Sequence, residues 1–257
     1  MIKKNDITVQ ADSDELKLIL SHACDLYNKA DVSGRAFFTK FLTPADAADI
    51  EKRFPKNDVP VSFFGGYDEA ERKIAVFGDV YDKSEYPVCA VRVRQKGGRE
   101  LNHRDYLGTV LSLGLKREMV GDIIVESDGA IVFCLEEIGS FIADSLVKIA
   151  NSGVEASVVS LAEFEAPKRK YEQISATVSS LRLDCVVSAA AGKARSAAAQ
   201  LISRSMVSLN YKECESVSKN VCDGDVLTVR GIGKFLMKTD GRLTKKGRIH
   251  IELNKYV

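Results

Sequence analysis

The stretch of sequence that decides the fold begins at Ser180-Leu181-Arg182-Leu183-Asp184-Cys185-Val186-Val187-Ser188 and continues through Lys193-Ala194-Arg195 to Gln200-Leu201-Ile202-Ser203-Arg204. Apolar residues recur at helical spacing on both sides of Gly192, so the sequence predicts two short helices. Short strands with tight turns are indicated by the segments that follow, Val207-Ser208-Leu209-Asn210, Asp223-Gly224-Asp225-Val226 and Arg230-Gly231-Ile232-Gly233-Lys234-Phe235. Residues 179–257 are therefore predicted to form a small α+β domain.

Cationic side chains of this domain lie off the apolar faces of the two predicted helices. Guanidinium groups of this kind suit phosphate oxygens, because their planar fork donates two parallel hydrogen bonds. A merely solvated charged face is the alternative interpretation of the same pattern. The candidate polyanion-binding residues on or beside the helices are Arg182, Lys193, Arg195, Gln200 and Arg204, and Arg230 and Lys234 in the strand region that follows are added to them.

Charge is distributed unevenly along the chain. The 257 residues carry a net charge of +1, but residues 1–167 hold 20 Lys+Arg against 28 Asp+Glu, whereas residues 168–257 hold 17 against 8. This asymmetry favours a polyanion-binding domain joined to an acidic body. No apolar run approaches the roughly 20 residues of a membrane helix, and the first residues do not resemble a signal peptide. A cytoplasmic protein without a membrane partner is expected.

Metal and cofactor sites are not indicated by the sequence. The six cysteines form no Cys-x-x-Cys pair and the three histidines are scattered, so we expect reduced thiols, no metal and no cofactor. Gly231-Ile232-Gly233 is a lone Gly-x-Gly, which is too weak to indicate a nucleotide loop. Asn102-His103-Arg104-Asp105-Tyr106 is the one polar cluster that could suit acid–base catalysis, but capping of a helix by Asn102 is the favoured interpretation.

The residues before the basic domain predict two further domains and a linker. Residues 1–82 are expected to form an N-terminal helical/β region, with helices at 13–30 and 43–54 and strands Val61–Phe64 and Lys73–Phe77. Residues 83–165 follow the order βαββαβ of a ferredoxin-like (RRM-like) middle domain, with a long second helix at 136–150. Because its central strands offer only Phe133 for base stacking, a structural or protein-docking role is favoured for this sheet. Pro167 and the change of charge sign predict a linker at 166–178.

Several of these stretches together resemble a known family. Five stretches are similar to the S-four RNA-binding domain: Arg182-Leu183-Asp184, Lys193-Ala194-Arg195, Leu201-Ile202, Val207-Ser208-Leu209-Asn210 and Gly224-Asp225. The flanking Thr177-Val178-Ser179-Ser180 and Arg230–Phe235 resemble one branch of it, the YlmH family. So do the upstream blocks Phe64-Gly65-Gly66-Tyr67 with Glu71-Arg72, Leu101–Gly108 and Gly121-Asp122-Ile123. Three positions depart from the pattern: Ser205 and Tyr211 stand where glycine is common, and Ala194 replaces the usual Ser.

The resemblance implies a bacterial RNA-binding protein of the large ribosomal subunit. It implies rRNA and tRNA as partners, with ribosomal proteins or quality-control factors as further ones, and no small-molecule substrate. YlmH-like proteins are implicated in ribosome-associated quality control, where a stalled subunit is held while the nascent chain receives a C-terminal alanine tail, and in cell division. Arg182, Arg195 and Arg204 match the RNA-facing cations of the module.

Two other classes of function remain open from the sequence. An RNA-modifying enzyme, or an accessory to one, is the first, because the S-four module is often fused to such enzymes and Arg182-Leu183-Asp184 resembles the catalytic triplet of pseudouridine synthases. That triplet lies inside the binding module here and no second catalytic body follows it, so a non-catalytic protein is expected. The second is a protein-interaction adaptor linked to cell division, which would use the acidic body.

Overall fold

The structure is a computed structural model that describes residues 1–55, 58–161, 171–245 and 247–256. The chain divides into two units, Met1–Ala166 and Pro167–Val257, called here the amino-terminal and carboxy-terminal units. Both combine helices with sheets, which confirms the predicted α+β class. None of the described helices has the length and apolar character that a bilayer-spanning segment requires.

The amino-terminal unit begins with three helices and a small three-stranded sheet of order β1-β3-β2. Its elements are α1 (Lys4–Thr8), α2 (Asp14–Ser33), β1 (Phe37–Phe38), α3 (Pro44–Arg53), β2 (Val61–Phe64) and β3 (Ile74–Phe77). The prediction for α3 is confirmed, because Thr43 and Asp46 form a reciprocal capping box at its start. α1 and β1 are too short to produce a periodic pattern and are absent from the predicted elements.

Strand β3 joins the two domains that the sequence predicts on either side of residue 82. All four of its residues are buried. Ala75 and Phe77 pack with the helices in one core, whereas Ile74 and Val76 belong to the core of the following sheet. A strand buried on both faces packs against a layer on each side and so holds the two layers together. The structure groups both segments in the one amino-terminal unit, whose two cores share this strand.

The second sheet of this unit has the order β5-β6-β4-β8-β7, with antiparallel neighbours throughout. Its elements are β4 (Val88–Gln95), α4 (His103–Ser112), β5 (Val120–Glu126), β6 (Gly129–Leu135), α5 (Glu136–Ser145), β7 (Lys148–Ile149) and β8 (Ser152–Val159). Tyr106 and Val110 of α4 and Ile138 and Ile142 of α5 share one core with the sheet. Both helices thus cover the same core.

The second helix of this segment is shorter than the predicted 136–150. α5 ends at Ser145, and the chain then forms the short hairpin of β7 and β8. Leu146 and Ile149 are still buried in the core, but from the loop and the strand. Apolar residues at every third or fourth position can all be buried by one long helix or by a shorter helix followed by a turn. The spacing alone therefore does not determine where the helix ends.

Two glycines, one in each of these helices, provide a matched test of the packing. Gly108 of α4 has open space where a Cβ would lie, so Gly108→Ala should stabilise the amino-terminal unit by about 1 kcal/mol. A Cβ on Gly139 of α5 would lie 2.4 Å from the buried Cys89 Sγ, so Gly139→Ala should destabilise it by about 1–2 kcal/mol. Denaturant unfolding of both variants measures the difference. Shifts of the same sign would contradict the packing described for α5.

The carboxy-terminal unit is a six-stranded antiparallel sheet of order β11-β10-β12-β13-β14-β9. Its elements are β9 (Tyr171–Val178), α6 (Leu183–Ala191), α7 (Arg195–Ser203), β10 (Val207–Leu209), β11 (Lys212–Glu213), β12 (Val226–Val229), β13 (Gly233–Lys238) and β14 (Ile249–Tyr256). Both helices contribute buried residues to the core on one sheet face, among them Val186 and Ile202. The buried alternate residues of the strands, such as Phe235 and Leu253, face these helices.

Most of the predicted linker at 166–178 is a strand. β9 pairs along its whole length with β14, from Val178 opposite Ile249 to Tyr171 opposite Tyr256. Ile174, Ala176 and Val178 alternate toward the core, and this period of two outweighs the break expected from Pro167. The remainder of the predicted boundary, residues 162–170, lies outside the described residues.

Candidate nucleic-acid interface

Asp184 connects two of the predicted RNA-binding arginines across the helix pair. The Arg182 guanidinium donates to both carboxylate oxygens, from Nε to Oδ1 at 3.3 Å and from Nη2 to Oδ2 at 3.2 Å. Arg195 Nε donates to Oδ2 at 2.9 Å from the start of α7. The geometry therefore fixes two cations from different helices beside each other. Arg182 and Asp184 lie two residues apart in the sequence, whereas Arg195 reaches Asp184 from the start of the next helix.

The three side chains differ in their access to solvent. The Asp184 side chain is 7% exposed, whereas those of Arg182 and Arg195 are 37% and 53% exposed. Burial alone would raise the pKa of Asp184, but the hydrogen bonds from Arg182 and Arg195 outweigh it and the pKa lies below its usual value. Its position in the first turn of α6 also suits a negative charge. The carboxylate is thus charged and hidden, while the arginines present their free edges to solvent.

The other predicted helix residues lie around this pair on exposed positions. Lys193 precedes α7 instead of lying on its face, because Gly192 and Ala194 occupy the cap positions of α6 and α7. Gln200 is an exposed residue of α7, and Arg204 caps its C-terminal end. A cation at that end is favourable for the helix dipole as well as accessible to a ligand. No carboxylate pairs with Arg204 among the residues that the structure describes.

Arg230 and Lys234 lie apart from the arginine pair, Arg182 and Arg195. Arg230 lies in the turn between β12 and β13 and is 3.8 Å from a Glu213 carboxylate oxygen. Lys234 of β13 alternates with the buried Phe235, so it lies on the sheet face opposite the two helices. The structure therefore does not bring Lys234 together with Arg182 and Arg195.

The basic stretch of the middle sheet is largely neutralised by carboxylates. Arg92 is 3.1 Å from Glu126, Lys96 is 3.5 Å from Glu155, and Arg99 donates to both carboxylate oxygens of Asp105. Asp105 also completes the capping box with Asn102. This confirms Asn102 as a helix cap. Asp105 thus has a structural role and does not form an acid–base pair with His103.

Phe133, the one aromatic residue of the central strands, is not available to stack a base. It is fully buried, and the Tyr67 ring lies over it with the centroids 4.9 Å apart. A Cβ on Gly66 would lie 2.3 Å from this ring, so glycine is required for the close approach. The structure agrees with the weak stacking potential that the strand sequences indicated.

Two of the upstream blocks that carry the family resemblance, the one around Tyr67–Arg72 and Gly121–Ile123, meet at Asp122. Its carboxylate accepts hydrogen bonds from the Tyr67 hydroxyl at 2.8 Å, the Glu71 amide at 2.7 Å and the Arg72 amide at 3.1 Å. Arg72 and Arg117 both donate to the Val120 carbonyl. Desolvation, with the Arg72 charge nearby, lowers the pKa of Arg117 to about 10. The cluster ties the connection after β2 to β5, a long-range contact that sequence spacing does not show.

Comparison with known proteins identifies the family of this chain. A family model described as "Putative RNA-binding domain in YlmH" matches residues 76–163. A relative from Bacillus subtilis (strain 168), "Ribosome-associated protein quality control protein P2", is 31% identical over 227 residues, which cover 86% of this chain and 88% of the relative. This chain belongs to the YlmH family.

A solved structure of the YlmH family also shares the fold. "Cell division protein ylmH from Streptococcus pneumoniae" superposes with a TM-score of 0.52 at 18% identity, covering 61% of this chain and 98% of that chain. This likeness concerns the fold alone. The family model matches residues of the amino-terminal unit, whereas the arginine pair lies in the carboxy-terminal unit. Among the described residues, no group of three or more His, Cys, Asp or Glu side chains is arranged to hold a metal ion.

Proposed function

We propose that this YlmH family member is a non-catalytic RNA-binding protein of the large ribosomal subunit. The observation that carries the proposal is the pair of arginines, Arg182 and Arg195, held side by side by the buried Asp184. Two oriented guanidinium groups suit the charge and hydrogen-bonding capacity of phosphate oxygens on a folded RNA backbone. The excess of cations in residues 168–257 supplies the long-range attraction.

The proposed setting is ribosome-associated quality control. The name of the Bacillus subtilis relative supports this setting, and that relative aligns with 86% of the chain. In this proposal the carboxy-terminal unit is an S-four-type domain that contacts rRNA and tRNA, and so supports alanine tailing of a stalled nascent chain. The strand order of the middle sheet supports a ferredoxin-like assignment for residues 83–165. The protein acts by holding its partners, and a cytoplasmic location follows from this role.

Arg182→Ala tests the proposal directly. Loss of one charged contact should weaken association of the full chain with large ribosomal subunits by about 1–3 kcal/mol, measured by co-sedimentation in a sucrose gradient. The fold should survive, because Arg195 still pairs with the buried Asp184 and the Arg182 side chain does not cap α6. Binding of the wild type should also weaken steeply as salt rises, since phosphate contacts release counterions.

A matched variant separates this effect from a general loss of positive charge. Arg35→Ala removes an exposed arginine of the acidic amino-terminal unit and should leave co-sedimentation unchanged. Equal losses for both variants, or binding that is insensitive to salt, would count against the arginine pair. Retention of a protein partner after nuclease treatment and a high-salt wash, with no ribosome association, would favour the adaptor function instead.

A further inference from the structure

The sheet of the carboxy-terminal unit has a second face that the helices do not use. Buried or half-buried apolar residues alternate along β9, β13 and β14 and pack with α6 and α7 in one core. The intervening residues point the other way and are exposed or half-buried, including Gln173, Ser175 and Asn254. The unit therefore has two separate surfaces: one at the arginine pair, and one on the face of the sheet away from the helices.

Three tyrosines and one lysine gather on this opposite face. The Lys234 ammonium lies 4.5 Å from the centroid of the Tyr211 ring and 4.8 Å from that of Tyr256. The rings of Tyr171 and Tyr256 meet edge to face with their centroids 5.1 Å apart. We call these four residues the tyrosine cluster. Tyr171 is 40% exposed, so the cluster reaches the surface of the molecule.

Tyr211 has a strained backbone conformation, which suggests that its ring has a function. Asn210 and Tyr211 form the two-residue turn between β10 and β11 and have φ angles of 50° and 66°. Asn-Gly is favoured in such a turn because glycine adopts the second position without steric strain. A tyrosine in this conformation is an outlier, and outliers of this kind concentrate at functional sites. The turn therefore places an aromatic ring where glycine would be less strained.

We propose that the tyrosine cluster stacks the bases of unpaired RNA nucleotides while Lys234 attracts their phosphates. Flat aromatic side chains next to cations are the combination by which proteins bind single-stranded nucleic acid, because every base has a π face. Bases inside a duplex are already stacked and do not offer that face. The net positive charge of residues 168–257 attracts a polyanion, and the aromatic rings favour one that carries bases.

This inference rests on the proposed function in taking RNA as the ligand, but it assigns a separate surface and a separate mode of contact. The arginine pair would grip the backbone of folded RNA from the helix side. The tyrosine cluster would hold an unpaired segment of the same or a neighbouring strand on the other side of the sheet. Lys234, one of the candidate RNA-binding residues from the sequence, then belongs to the stacking surface.

Binding of a short single-stranded oligouridylate to the full chain tests the proposal. The chain contains no tryptophan, so its intrinsic fluorescence comes from tyrosine, and stacking of a base should quench it. An oligonucleotide of the same length with abasic ribose–phosphate units provides the backbone charge without the bases. The wild type should bind the oligouridylate about fivefold or more tightly than the abasic chain, with quenching only for the former. Equal binding of the two would overturn the proposal.

Substitutions in the cluster sharpen the result. Tyr211→Gly and Tyr256→Leu should each weaken oligouridylate binding about fivefold or more, whereas Tyr256→Phe should retain it. Tyr211→Gly should also leave the thermal midpoint unchanged or raise it, because glycine relieves the turn. A lower midpoint with unchanged affinity would mean that the ring is only structural and would overturn the proposal. Tyr81→Leu, at a tyrosine 88% exposed in the amino-terminal unit, is the matched control and should have no effect.

The two surfaces can fail independently. Arg182→Ala should weaken co-sedimentation with ribosomal subunits and leave oligouridylate quenching intact, which would support two surfaces. If Arg182→Ala abolishes both, one surface does all the binding and the inference is wrong. Quenching by oligouridylate in a wild-type chain that ignores ribosomal subunits would refute the proposed function while supporting the tyrosine cluster.

Discussion

Asp184→Asn should weaken association with large ribosomal subunits by about 2 kcal/mol, although it removes a negative charge from the proposed RNA-binding surface. The buried carboxylate accepts hydrogen bonds from both Arg182 and Arg195, and a neutral amide cannot hold both guanidinium groups in the same way. Each arginine then has to be ordered by the RNA itself, which costs conformational entropy. Co-sedimentation at several salt concentrations measures the loss.

The opposite result would identify a different role for Asp184. If the carboxylate merely reduced the positive potential, Asp184→Asn would tighten the binding of a polyanion. Tighter binding of the variant at every salt concentration would therefore show that the arginines do not depend on Asp184 for their orientation. Arg182→Ala is the reference for the size of the effect, because it removes one of the two cations outright.

The same substitution should change how stability depends on pH. The pKa of Asp184 is lowered in the folded chain, so its ionised form contributes stability above the unfolded-state pKa of about 3.9. That contribution is lost as the pH falls through the folded pKa. The thermal midpoint of the wild type should exceed that of Asp184→Asn at neutral pH, and the difference should shrink in acid. A constant difference would show that the carboxylate charge is not involved.

Alanine at position 129 should destabilise the amino-terminal unit by about 3 kcal/mol or more. Gly129 begins β6 and pairs with Arg94 of β4. A Cβ at this position would lie 1.9 Å from the Val93 carbonyl oxygen and 2.9 Å from its carbon. Since both atoms are backbone, only a shift of the strand pair could relieve the clash. Denaturant unfolding of Gly129→Ala, followed in the transition of the amino-terminal unit, measures the cost.

Gly153 provides the control on the same sheet. It lies in β8, and a Cβ there would meet no atom within 4 Å. Gly153→Ala should therefore change the free energy of unfolding by no more than about 0.5 kcal/mol. A similar loss in both variants would mean that any side chain on these strands is harmful, and that the close approach of β4 and β6 is not the cause.

Local signals in the sequence were sufficient for much of the amino-terminal unit. Thr43, Pro44 and Asp46 define the start of α3 within one turn, and Asn102 with Asp105 defines α4 in the same way. The alternating or continuous apolar runs of β3 and β6 also predict strands. These features depend on neighbours in the chain, so no knowledge of the packing is needed to recognise them.

Contacts between distant residues could not be predicted in this way. β3 has two buried faces because another sheet packs on its second side, a contact that the predicted boundary at residue 82 did not anticipate. β9 is defined by its pairing with β14 more than by its own residues. In the candidate site, the contact between Arg182 and Asp184 joins residues that are close in sequence. The contact between Arg195 and Asp184 depends on the packing of α6 against α7.

The position of β9 has a consequence for how the carboxy-terminal unit forms. β9 lies at the edge of the sheet, and its only strand neighbour among the described residues is β14, the strand of this unit that lies furthest along the chain from β9. Until β14 has been made, the backbone groups of β9 have no strand to pair with. Closing a loop that encloses both helices and four strands is entropically slow. The ribosome must therefore finish nearly all of this unit before the new chain can assemble the sheet face that carries the tyrosine cluster.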